Sequence, residues 1–230
     1  NLDSPDRIWC CRTPPFLAGA CLSVVGQASP DRSWSQTDLA ERLDGDDTFA
    51  SADNNDPTSF TEKLVASEYA LDVPGAAPIT GIEVHVFRRQ LNNNGNNANN
   101  FINDASITLT LDGATTAGVD HAQPPSTHWA VLTGSSFEEA VYGGPADDWG
   151  LTLTGDDVDD SGFGVILRAE FNRGGGTTGS FNTDVDAVLV RVFTDDTSRV
   201  DCDDGDAAEF ASTTLQPDND GDRFAAGGGQ

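Results

Sequence analysis

The chain has 230 residues, with Lys+Arg 12 against Asp+Glu 38, a formal net charge of -26 and a pI near 4.1. One domain of roughly 150 to 200 residues with tails suits that length, and no run approaches the roughly 18 apolar residues of a membrane span. So negative a surface repels phosphate backbones and anionic headgroups, whose binding takes Lys/Arg clusters to displace counterions, so neither nucleic acid nor a membrane is an expected partner. The chain starts at Asn1 and holds no Met, which leads us to expect a removed secretion signal or propeptide. The expected location is extracellular, at a cell surface or on a virion. Asp outnumbers Glu 30 to 8 and Lys63 is the only lysine. Both a salty medium and a wealth of Asp-containing turns account for that bias.

Residues 1–33 read as an extended, Cys-rich N-terminal arm with one strand in it. Its apolar stretch from Phe16 to Val25 is short and broken by Gly19. Cys10, Cys11, Cys21 and Cys202 allow three pairings, and bonding neighbours such as Cys10 and Cys11 demands awkward geometry. The expectation is disulfides, Cys10 or Cys11 with Cys21 and the other with Cys202, rather than zinc, because no CxxC spacing is present. Disulfides place the chain in an oxidising compartment.

From Trp34 to Asp195 short apolar runs alternate with Gly, Asn, Asp and Pro clusters. The expected strands are Lys63 to Tyr69, Ile79 to Arg88, Ile102 to Leu111, Thr127 to Leu132, Ala140 to Tyr142, Gly164 to Phe171 and Ala187 to Thr194. In the second, Ile82, Val84 and Val86 face one way and Glu83, His85 and Phe87 the other. Strands of this length spaced by turns predict an all-β fold, an antiparallel β-sandwich or barrel. Asn92 to Asn100, with seven Asn in nine residues, is expected as a solvated hairpin loop. Gly174 to Gly176 is expected in another.

Tyr142 to Gly150 reads YGGPADDWG and runs into LTLTGDDVDDSGFGVILRAEF, which carries Phe163 and Gly164. With ITGIEVHVF at Ile79 to Phe87 and TDVDAVLVRVF at Thr183 to Phe193, this resembles a β-sandwich module of phage and extracellular surface proteins. The resemblance implies a jelly-roll-like sandwich serving as a structural or adhesive unit, with Tyr142, Gly143, Gly144, Trp149, Gly150, Phe163 and Gly164 as its structural motif and no catalytic residues. It makes the oxygen-rich run Asp156 to Asp160 a structural loop. Independently of it, Gly-Gly-Pro suits a tight corner and Trp149 a buried ring, against an exposed ring that stacks a sugar.

Residues 196–230 form an acidic, Gly-rich tail. Asp218, Asp220 and Asp222 alternate around Gly221 like the start of a calcium loop, with Arg223 where a second Gly is expected; the alternatives are a calcium site and a solvated tail. Catalytic patterns are thin. His85 falls in a strand, His121 and His128 in a Pro-rich loop, there is no HExxH or GxSxG, and Glu138-Glu139 is a pair that 38 acids supply by chance. A chain that is not an enzyme is expected. The function expected is a secreted, self-assembling subunit of a filament, appendage or virion surface, with copies of itself as partners joined through the arm and β-edge pairing. The alternative is a carbohydrate-binding module or adhesin with glycans as partners.

Overall fold

The computed structural model describes residues 16–17, 20–24, 31–40, 49–54, 58–92, 100–172 and 181–194. Among them the strands are β1 (Phe16–Leu17), β2 (Ala20–Val24), β3 (Ala50–Asn54), β4 (Thr58–Phe60), β5 (Lys63–Ser67), β6 (Ile79–Asn92), β7 (Phe101–Thr110), β8 (Glu138–Gly144), β9 (Gly164–Asn172) and β10 (Phe181–Thr194). All pair antiparallel into two five-stranded sheets. Sheet A runs β1-β10-β6-β8, with β3 also on β10; sheet B runs β2-β5-β9-β4, with β7 also on β9. The fold is therefore an antiparallel sandwich, one of the two architectures that the strand pattern predicts, and it is jelly-roll-like, as the resemblance implies.

The nesting of pairs builds the two layers. β6 pairs with β10 while β7 pairs with β9, so the chain crosses between sheets on leaving β6 and again on leaving β9. This corrects the expectation of hairpins at the Asn-rich tract and at Gly174–Gly176: each joins strands of different sheets. Ile82, Val84, Val86, Val188, Val190 and Val192 from sheet A face Ile102, Ile107, Leu109, Val165, Leu167 and Ala169 from sheet B, all buried in one core. The inward side of β6 falls on even numbers, as the period of two requires.

Two bulges reset that period. The β7–β9 register shifts between Asp104 and Ser106, so Ile102 and Asp104 point inward before it and Ile107 and Leu109 after it. The β10–β6 register shifts between Val185 and Ala187. One extra residue turns every later side chain to the other face.

Thr127 to Leu132 is not a strand, which corrects that expectation. Trp129 N donates to Ile102 O on β7, whereas Ala130 O accepts from Gln90 N on β6, so the segment steps from one sheet to the other within two residues. Asp156 to Asp160, expected as a loop, holds the short helix α1 (Gly155–Asp159). The Asp157 carboxylate takes both the backbone N–H and the hydroxyl of Thr154, each at 2.8 Å, which fixes the first turn.

Candidate functional site

The Tyr142 to Gly150 corner is a structural lock. Tyr142, Gly143 and Gly144 end β8 opposite Val84, Glu83 and Ile82 of β6, and Pro145 then turns the chain. Trp149 is 0% exposed, and its Nε1 donates to Ile82 O at 2.9 Å. Gly143, at φ +71°, leaves room for that indole, since a Cβ there would stand 2.2 Å from Ile82 O and 2.6 Å from Trp149 Nε1. Trp149 itself takes a left-handed φ of +57°, held by its N–H on Asp147 Oδ1 at 3.0 Å and by Val119 N on its carbonyl at 2.7 Å. Gly150, at φ +70°, follows in the same left-handed region. Phe163 is buried against Tyr69, and a Cβ on Gly164 would stand 2.1 Å from Ala66 O, where β9 passes β5. The sugar-platform reading of Trp149 is excluded by its burial. Trp34, Trp129, Tyr69 and Tyr142 are buried too.

Behind that corner a polar bridge spans the core. Asp104 of β7 accepts from Arg88 Nη1 of β6, from Trp129 Nε1 at 2.8 Å, from the Tyr142 hydroxyl at 2.9 Å and from Gln123 N at 3.0 Å. Arg88 also donates to Glu138 at 3.1 Å and to Gln123 Oε1 at 2.9 Å, and lies over the Trp129 ring. A buried carboxylate survives desolvation only with partners of this number. Burial pushes the Tyr142 hydroxyl well above its ordinary value, with Arg88 pulling the other way. No sequence signal marks Asp104 as inward, because the bulge beside it sets its direction.

The outer face of sheet A carries a second polar group. His85 Nδ1 lies 2.6 Å from Glu139 Oε1 and Nε2 lies 2.8 Å from Glu83 Oε1, which also accepts from Arg191 at 2.8 Å. Both imidazole contacts are hydrogen bonds together only when the ring carries two N–H groups or one carboxyl keeps its proton. The adjacent residues Glu138 and Glu139 thus serve opposite faces, the first on Arg88 inside and the second on His85 outside, as alternation on a strand demands. Both ring nitrogens are thus taken up by carboxylates, which fixes the orientation of the imidazole. Spacing along the strand makes His85 a lone residue; in three dimensions two carboxylates flank it.

The N-terminal arm contributes strands to both sheets. β1 lies on β10, with Phe16 opposite Val190, and β2 lies on β5, with Cys21 opposite Ala66. Three further edges are covered: Ser35 bonds both ways with Ser51 of β3, Arg32 N donates to the Phe60 carbonyl of β4, and Ala117, His121 and Trp129 bond along β7. β8 differs. It pairs with β6 on one side, and no backbone partner lies along its other side among the described residues. Cys10, Cys11 and Cys202, Asp218, Asp220 and Asp222, residues 93–99 and the acidic tail lie outside the described residues. Among the described residues no group of three or more His, Cys, Asp or Glu is placed to hold a metal, and no helix is long and apolar enough to cross a membrane.

No family model matches the chain, and no curated protein does. Among solved structures it is similar to a family 7 alginate lyase, A1-II', in complex with product, at 14% identity over 73% of this chain and 85% of that one, with a TM-score of 0.23. The same lyase in a second structure, a member of polysaccharide lyase family 7, matches at 13% identity over 73% and 86%, with a TM-score of 0.24. Likeness this distant carries no argument about activity or substrate. The matched structures are enzymes, so the expectation that the chain is not an enzyme is withdrawn, and no activity is assigned in its place.

Proposed function

We propose that this chain is a self-assembling structural subunit, exported to an extracellular filament, appendage or virion surface and joined to copies of itself through its N-terminal arm and strand edges. The observation that carries this reading is the anchoring of the arm on both sheets: β1 and β2 bind β10 and β5 within three residues of each other. In this reading the fifteen residues before Phe16 are the part of the arm that joins a neighbour. Strand addition at an open edge supplies main-chain hydrogen bonds and removes an aggregation-prone edge at once. The burial of every described Trp and Tyr further supports a packing role over sugar stacking. The test is sedimentation of the full chain and of a variant lacking residues 1–13, which keeps β1 and β2. The reading predicts large species for the first and monomers for the second; equal assembly of both contradicts an arm-linked joint.

A glycan-binding role rests on a separate observation, the row Glu83, His85, Glu139 and Arg191 on the outer face of sheet A. Its test is a glycan array with the full chain against a Glu139→Gln variant, where equal binding by both removes this face from the role.

A further inference from the structure

The open side of β8 is the longest strand edge that has no backbone partner among the described residues, ahead of the five-residue β2 at the end of sheet B. Its outward residues alternate as Glu139, Val141 and Gly143, and Val141 is 45% exposed. The strand has seven residues, Glu138–Gly144. The arm holds a segment of the same length between Pro5 and Pro14, Arg7-Ile-Trp-Cys-Cys-Arg-Thr13, rich in residues that favour strands. From Arg7 to Pro30 the chain contains two arginines and no acidic residue, in a protein of net charge -26. Basic strand and acidic edge are complementary.

We propose that residues 7–13 of a second copy add to sheet A as an antiparallel strand along β8, with Arg12 opposite Glu139, Cys10 opposite Val141 and Ile8 opposite Gly143. The inference rests on the arm-linked assembly proposed above and names its acceptor. In this register all seven residues find a partner, the acid meets a base, and the exposed Val141 is covered.

Reach decides that the strand comes from another molecule. Sheet A runs β1-β10-β6-β8, so a place beyond β8 lies four strand spacings from β1, about 19 Å. Residue 13 is three Cα steps from Phe16, at most about 10 Å, and residue 11 is five steps away, about 17 Å. Residues 11–13 of the same chain therefore cannot lie beside β8, and a closed ring or an open filament of copies follows from such head-to-tail donation.

Amide hydrogen exchange on the assembled full chain tests this, compared with an Arg7→Glu/Arg12→Glu variant. The expected result is exchange at residues 138–144 at least tenfold slower in the assembled wild type, loss of assembly and of that protection in the variant, and recovery of both when Arg12→Glu is combined with Glu139→Arg. Assemblies that persist while β8 exchanges as fast as in the variant overturn the β8 acceptor and leave arm-linked assembly standing. A wild-type chain that stays monomeric under every condition overturns both.

Discussion

The indole Nε1 of Trp149 lies 2.6 Å from where a Cβ on Gly143 would stand, so the indole occupies the space that a side chain at 143 would need. The corner between β8 and the following turn is built from that close approach. Gly143→Ala is expected to cost about 2–4 kcal/mol, from a left-handed backbone and a steric clash together. Gly134, at φ +66° with nothing within 4 Å of where a Cβ would stand, isolates the backbone part, and Gly134→Ala is expected to cost about 1–2 kcal/mol. Urea unfolding of the two variants checks this. Equal losses contradict the crowding.

The bridge between Arg88 and Asp104 crosses the core rather than the surface, and its two sides depend on each other. Asp104→Ala leaves a buried guanidinium without its main partner and is expected to cost about 3–5 kcal/mol, whereas Arg88→Met combined with Asp104→Leu is expected to lose much less than the sum of the single changes. A double-mutant cycle in urea measures the coupling, and additive losses contradict it.

Tyr142 gives the alkaline side of the stability curve a distinct shape. Its hydroxyl is held neutral in the fold, mainly by burial, while in the unfolded chain it ionises near its ordinary value of about 10. The unfolded state thus loses this proton first, and the contribution is present below that pH and is lost as pH rises above it. The ionisation of Tyr142, taken as the difference in tyrosine absorbance between the wild type and Tyr142→Phe, is expected to appear only as the protein unfolds. In Tyr142→Phe stability falls less between about pH 10 and 12. Ionisation of Tyr142 near the ordinary value in the folded protein contradicts the buried hydroxyl.

Asp112 shapes the acid side. Hydrogen bonds from the Thr115 hydroxyl, then from the Thr115 and Ala114 amides, hold its carboxyl well below the usual range. Its contribution is present above the ordinary carboxylate value and is lost as pH falls below it. Carboxyl chemical shifts are expected to show Asp112 still ionised where the other exposed Asp residues have taken protons, and Asp112→Asn to flatten the acid dependence. Titration of Asp112 together with the rest contradicts the turn geometry.

Much of the architecture is legible in the residues. Ile82, Val84 and Val86 alternate with Glu83, His85 and Phe87, and the structure buries the first set in the core. The short strands are not legible. Ala50–Asn54 reads as turn-forming ASADN, and it is a strand because β10 offers it an edge, a tertiary effect that local propensity does not encode. The bulge after Asp104 likewise has no local mark, which hides the inward carboxylate. Glu83 and His85 fall on one face from spacing alone. Glu139 joins them only through the β6–β8 register, in which His85 stands opposite Val141 and Phe87 opposite Glu139.

The central claim is that copies of this chain build an ordered assembly through the arm. Electron microscopy of the purified full chain at high salt, where screening relaxes the repulsion of so acidic a surface, tests it most directly. The account predicts ordered filaments or shells that are lost when residues 1–13 are removed, and dispersed monomers of the full chain across salt concentrations, with and without reductant, would contradict it.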